Sequence, residues 1–191
     1  MNIIRPSRIF RTIVRVFLLV FTLSLSAVGF LGGFSAVTIL DPDSYNINVP
    51  DGPIVANLNI TDPSSLQITL PFNITNAGVY DLTNIEISLQ VSVTYGNTLL
   101  PGNASTTVKI FDLEHLFGTV AHGSFLKSSI NGTTTEGFIL ANIPSPSNID
   151  FYRTPYILEF YGNLTFSASY SLNLYTFTTT ILNYSIYKLS P

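Results

Sequence analysis

The chain has 191 residues, no cysteine, and a charged fraction of only 10%, well below the roughly 25% of an ordinary soluble domain. Without cysteine, disulfides, thiolate metal sites and cysteine nucleophiles are excluded. Charge is segregated: Arg5, Arg8, Arg11 and Arg15 precede the first acid, Asp41, while residues 41–191 set Lys109, Lys127, Arg153 and Lys188 against all eleven acidic residues, a formal charge of −7. Such an acidic surface argues against a nucleic-acid partner, which needs clustered Lys and Arg.

From Val16 to Leu40 there are twenty-five consecutive uncharged residues. At about 1.5 Å rise per residue, roughly 20 apolar residues cross a hydrocarbon core, so the run suffices. With all the early arginines on its amino-terminal side, the positive-inside rule predicts a cytoplasmic amino terminus and an exported remainder. The expected organisation is a cytoplasmic basic segment over 1–15, a transmembrane helix or signal anchor over 16–40, and an extracytoplasmic domain over 41–191. That makes a single-pass protein of the cell membrane. The competing reading is a cleaved signal peptide, whose apolar region is usually shorter; Ser24-Leu25-Ser26-Ala27 and Gly33-Phe34-Ser35-Ala36 supply small residues at which a peptidase cuts.

The exported part alternates with period two, the signature of half-buried strands. Leu66, Ile68, Leu70, Phe72 and Ile74 alternate with polar residues or Pro71; Ile85, Ile87, Leu89, Val91, Val93 and Tyr95 do the same, as do Leu164, Phe166, Ala168, Tyr170, Leu172 and Leu174. Shorter strands are expected at 44–49, 54–60, 105–111, 134–140, 155–161 and 181–188. Pro71 lacks an amide hydrogen, so its strand is expected at an edge or bulged there. Turns are expected at Asp51-Gly52, Asn76-Ala77-Gly78, Gly96-Asn97, Pro101-Gly102, Asn131-Gly132 and Gly162-Asn163. Leu113, Leu116, Phe117 and Val120 fall at helical spacing behind Asp112, which predicts a short helix over 112–122 across an open end. The fold class is all-β: an immunoglobulin-like antiparallel β-sandwich of about 7–9 strands with that one short helix, preceded by the transmembrane helix.

Asn-x-Ser/Thr occurs at Asn59, Asn73, Asn103, Asn131, Asn163 and Asn183. Asn59, Asn73, Asn163 and Asn183 adjoin inward-facing apolar positions, and Asn103 and Asn131 are read in turns. Alternation therefore turns all six toward solvent, where a glycan is carried. Chemistry is harder to find. The two histidines, His115 and His122, lie in or beside the predicted helix with Asp112 and Glu114, but neighbouring helical positions do not face one another, and no further ligand falls at useful spacing. Asp41 and Asp43 read as a solvated tether. Phosphate loops, nucleophile elbows and zincin helices are missing. No catalytic, cofactor-binding or metal residue and no cofactor is expected. The aromatics of the last quarter, among them Tyr152, Tyr156, Tyr161, Tyr175, Tyr184 and Tyr187, read as core and cross-strand packing rather than a ligand platform.

The stretch from Leu66 to Leu82, containing Asn73-Ile74-Thr75-Asn76-Ala77-Gly78-Val79-Tyr80, with the strand Ile85–Tyr95 and its Gly96-Asn97 turn, resembles the late-embryogenesis-abundant group 2 family, the water-stress and hypersensitive-response domains. The likeness covers residues 60–140. That family's turn carries a proline where this chain has Ala77. The resemblance implies an immunoglobulin-like sandwich without a catalytic site, with Asn76 and Tyr80 as structural positions. In composition alone, the chain is also similar to archaeal envelope proteins.

Three functions follow as expectations. The first is a non-catalytic, membrane-anchored envelope protein that presents a glycosylated sandwich for structural or adhesive contacts with other envelope proteins or with itself. The second is a filament subunit that, after leader cleavage, donates the strand beginning Asn46-Ile47-Asn48-Val49 to a neighbour. The third is a solute-binding protein or enzyme using a pocket between the predicted helix 112–122 and the sandwich, with His115, His122 and Glu114 as its support.

Overall fold

The computed structural model describes residues 6–170, 173 and 175–190. The chain opens with one long helix, α1 (Pro6–Leu40). Its stretch Phe10–Leu40 has a mean hydropathy of 2.2 and is long and apolar enough to cross a membrane. Thr22, Ser35 and Thr38 return their hydroxyls to the carbonyls of Leu18, Leu31 and Phe34 at 2.8, 2.8 and 3.0 Å, so these three hydroxyls are paired among apolar groups. The helix stops at Leu40 because Pro42 disfavours helical backbone at the residue before it. Asp41 is extended, and its carboxylate accepts the Asp43 N–H at 3.1 Å to start a single 3-10 turn.

Eight strands follow: β1 (Ile47–Asn48), β2 (Val55–Asn57), β3 (Gln67–Thr75), β4 (Leu82–Gly96), β5 (Ser105–Val120), β6 (Phe125–Thr133), β7 (Leu158–Tyr170) and β8 (Tyr175–Leu189). They form two antiparallel sheets. In one, β3 is central, with β1 and β2 end to end along one side and β6 along the other; the second has the order β5-β4-β7-β8. The architecture is the all-β sandwich that the alternation predicts. Ile68, Leu70, Phe72 and Ile74 from β3 join Ile87, Leu89, Val91 and Val93 from β4 and Phe160, Leu164 and Phe166 from β7 in one buried core. Full burial of each such side chain contributes about 1.5–3 kcal/mol relative to exposure.

Pro71 sits in the central strand of its sheet, not at an edge. Its carbonyl accepts the Asp51 N–H at 2.8 Å on the side of β1 and β2. A residue's N and O point to the same side of a strand, so the missing amide hydrogen falls in the gap between those two short strands.

Residues 112–120 of the predicted helix over 112–122 belong to the strand β5, and 121–122 follow it into a turn. Phe72 meets Phe117 edge-on at 4.6 Å, whereas Leu116 is 65% exposed, so 116 and 117 point to opposite faces. A register shift between Leu82/Val120 and Ile85/Gly118 returns Val120 to the core. That bulge gives a strand an apparent helical spacing. Residues 134–140 form a turn and loop rather than a strand, and Asn131-Gly132 lies inside β6, not in a turn. A Cβ on Gly132 would sit 2.1 Å from Cε2 of Phe111; only a glycine leaves room for that ring. Gly162-Asn163 likewise lies inside β7, at a register shift against β8. Residues 155–161 and 164–170 thus belong to one continuous strand, apart from its loop-like start; the predicted extension to Leu172 and Leu174 falls outside the described residues.

Two edges matter for function. The segment proposed above as a donor strand pairs within its own chain, Ile47 with Ile74 and Asn48 with Asn73. β8 pairs with β7 and has no described partner on its other side; most of its residues are exposed. A register shift and the positive φ of Asn183 (55°) break that edge near its middle, a feature that impedes edge-to-edge pairing.

Candidate functional site: where the helix enters the sandwich

Beyond β3, the chain reaches Asn76, which is fully buried. A buried amide must find partners for its nitrogen and its oxygen. Here Nδ2 donates to the carbonyls of Tyr80 and Val120, both at 2.9 Å. Oδ1 accepts the Gly78 N–H at 3.1 Å and the Tyr170 hydroxyl at 2.8 Å. The Asn76 backbone N–H donates to the Ser124 carbonyl at 2.8 Å, and its carbonyl accepts the Gly123 N–H at 2.9 Å. One residue therefore ties together the turn after β3, the end of β5, the turn before β6 and the end of β7. Asn76 and Tyr80 meet through the latter's carbonyl.

The same knot holds the helix. Ser35 Oγ accepts the Val79 N–H at 2.9 Å. Asn46 Nδ2 donates to the Thr38 carbonyl at 3.0 Å, satisfying one of the carbonyls that a helix end leaves unpaired. Ala36 and Ile39 are 1% exposed within the sandwich core. Gly78 has no room for a side chain: a Cβ would lie 2.7 Å from the Tyr170 hydroxyl oxygen and 2.8 Å from Ser35 Cβ. The last turns of α1 thus pack into the core of the sandwich.

The electrostatics follow the burial. Desolvation raises the Tyr170 pKa above its ordinary value, so the hydroxyl, a donor to Asn76 Oδ1, stays protonated further into the alkaline range than a free tyrosine does. His122 donates its backbone N–H to the Asp81 carboxylate at 2.9 Å, and its Nδ1 is bonded to the Gly78 carbonyl. A carbonyl only accepts, so Nδ1 carries hydrogen. The donors and acceptors of Asn76 pair within the knot, which fixes the turn whose Val79 N–H bonds to Ser35 of the helix.

The other residues singled out in the sequence are dispersed. His115 lies on β5 with its ring 4.6 Å from that of Phe117, Asp112 forms an ion pair with Lys109, and His122 belongs to the knot at the end of β5. The pocket expected between a 112–122 helix and the sandwich has no such helix to form it. Among the described residues, no three of His, Cys, Asp and Glu come together as a metal site. Of the sequon asparagines, Asn59, Asn103, Asn131 and Asn183 are exposed, while Asn73 and Asn163 are half-buried between neighbouring strands. Asn73 Oδ1 is buried without a partner, and Asn163 Oδ1 accepts the Asn183 N–H at 2.9 Å. Phe160, Phe166, Tyr170 and Phe177 are buried, whereas Tyr152 is 92% exposed.

Two clefts lie between β8 and the short strands β1 and β2 of the first sheet. One, of about 290 Å³, lies beside the helix end, between Ile39, Ile47, Val49, Phe166 and Ile181. The other, of about 420 Å³, lies at the far end, between Leu58, Ile60, Phe151, Phe160 and Tyr187.

Sequence reasoning found Asn76 but missed Ser35, Asn46, Gly78 and Tyr170 as one group. In the sequence, Ser35 and Ala36 read as part of a cleavage motif, because small residues suit a peptidase and a tight helix contact equally.

No family model matches the chain, and no curated protein matches it. Among solved structures, the sporulation control protein Spo0M from Bacillus subtilis is similar at a TM-score of 0.34 and 13% identity, over 73% of this chain and 49% of that one. The chain spans about half of that protein's length, and a likeness this distant informs neither fold nor function.

Proposed function

We propose that the protein is a non-catalytic, membrane-anchored envelope protein whose helix holds an acidic β-sandwich at a fixed pose on the outer side of the cell membrane, for structural or adhesive contacts. The observation that carries this reading is the burial of Ser35, Ala36 and Ile39 in the domain core. A cut at Gly33–Ala36 would remove core side chains and the acceptor of the Val79 N–H, which disfavours cleavage there; a cut after Ala27 would spare them, and against it stands the length of the apolar run, beyond that of an ordinary signal peptide. The arginines ahead of the apolar run support an outward-facing domain. The reading assigns the domain no reaction and no cofactor.

Glycosylation of the outward sequons belongs to the same proposal. Exposed Asn59, Asn131 and Asn183 are the best acceptors, and Asn73, wedged between β1 and β6, is the poorest. A glycan on Asn183 would further block the free edge of β8. The filament reading requires release of Asn46–Val49 from its pairing with β3 as well as removal of the leader, and is disfavoured for both reasons.

Amino-terminal sequencing and peptide mass mapping of the protein recovered from its own membranes test the proposal. An intact arginine-rich start and external protease sensitivity of residues 41–191 on whole cells are expected. A new terminus within residues 27–36, or a protected domain, contradicts it.

A further inference from the structure

We infer that the helix end of the sandwich is a second membrane contact, with the turn after β3 and the start of β8 resting in the lipid interface beside the anchor. This deepens the anchored reading above and rests on it. Arg15 is the last cation before the apolar run, and about 20 residues at roughly 1.5 Å each cross the hydrocarbon layer. The outer boundary therefore falls near Ser35. The helix flank left uncovered by the domain supports that level: Phe30, Phe34 and Val37 are 73%, 56% and 68% exposed, an apolar face that continues past Ser35.

The sandwich touches the helix at this same height. Val79 donates its N–H to Ser35, and the Tyr175 ring approaches Gly33, lying 3.8 Å from where a Cβ would be. Gly33 lies on the inner side of the boundary. Val79 and Tyr175 are nonetheless 45% and 36% exposed, and the turn from Asn76 to Tyr80 contains no charged residue. An exposed valine and tyrosine held at the depth of the helix's lipid-facing residues face acyl chains and headgroups, and tyrosine is a common interfacial residue. The occupant of this surface is the bilayer that holds α1, because no other partner is continuous with the helix at that level. Two contacts in place of one restrain the domain from tilting about its anchor.

The chain contains no tryptophan, so single tryptophans report depth without background. Val79→Trp, Phe21→Trp and Leu140→Trp are prepared in the full chain and reconstituted into phosphatidylcholine vesicles with or without lipids brominated near the headgroup end of the acyl chain or at its middle. The mid-chain bromines are expected to quench the Phe21→Trp variant, which reports the anchor alone. The shallow bromines are expected roughly to halve the emission of the Val79→Trp variant and leave that of Leu140→Trp unchanged. Tyr175→Trp provides a second reading if Val79→Trp misfolds, and shallow quenching is expected there too. Quenching of Phe21→Trp with Val79→Trp and Tyr175→Trp behaving like Leu140→Trp overturns this inference and leaves the anchor intact. An unquenched Phe21→Trp overturns the anchored reading itself.

Discussion

The two ends of the sandwich are built in opposite ways. At the helix end, Asn76, Gly78 and Tyr170 are buried, Asn76 bonds to both of the others, and Val79 and Asn46 bond to Ser35 and Thr38 of α1. At the far end, Leu99, Leu140 and Tyr152 stand 72%, 51% and 92% exposed on loops. Nothing described packs over them in the same manner. The contrast teaches where rigidity is concentrated. Buried polar groups are costly unless fully paired, so a saturated network marks a place where one geometry is enforced. The loops of the far end leave their side chains free for contact with other molecules.

That contrast can be broken by substitution. Asn76→Ala has the largest expected effect. It strands the Tyr80 and Val120 carbonyls, the Gly78 N–H and the Tyr170 hydroxyl, and at about 1–3 kcal/mol per unsatisfied buried group the loss reaches at least about 3 kcal/mol. Urea unfolding of the full chain in detergent measures it. Gly78→Ala comes next, at about 1–3 kcal/mol, because the new methyl overlaps Tyr170 and Ser35 and the packed neighbours must shift. A wild-type unfolding midpoint for this variant would show the junction to be loose.

Tyr170→Phe sharpens the comparison through pH. Removing the hydroxyl costs about 1 kcal/mol at neutral pH, since Asn76 Oδ1 retains the Gly78 N–H. The native pKa of Tyr170 is raised from its ordinary 10.0 by burial. The unfolded chain therefore releases this proton first as pH rises: stability is fully present below pH 10 and declines above it. The Tyr170→Phe variant is expected to lose part of this alkaline decline, and an unchanged slope between neutral and strongly alkaline pH would contradict the buried donor. Ser35→Ala removes the acceptor of the Val79 N–H and is expected to cost about 1 kcal/mol while speeding exchange of that amide. The smallest effect is at the far end, where Tyr152→Ala should change stability by no more than about 0.5 kcal/mol.

The strands with clean alternation, around Phe72, Val91 and Phe166, were legible because each has one wet and one dry face. β6 was not. As an edge strand it buries little, and Ser128, Ser129 and Gly132 imitate a turn, although Gly132 serves the Phe111 ring. The 112–122 segment misled because a bulge beside Gly118 shifts an inward position by one residue. The helix junction was invisible for a different reason. Its partners, Ser35, Asn76 and Tyr170, are far apart in sequence, and no local period records a hydrogen bond that spans 94 positions. Asn76 alone carried a signal, through its place in a polar turn between two strong strands.

The central claim is that the tip of α1 is part of the sandwich. It is tested most directly by measuring the unfolding free energy of the sandwich in the full chain and in residues 41–191 alone, in the same detergent. Loss of buried Ile39, Ala36 and Ser35 predicts that the shorter chain is less stable by about 3 kcal/mol or more, or fails to fold. Equal stability of the two would mean that the helix merely leads into the domain, and would contradict the account.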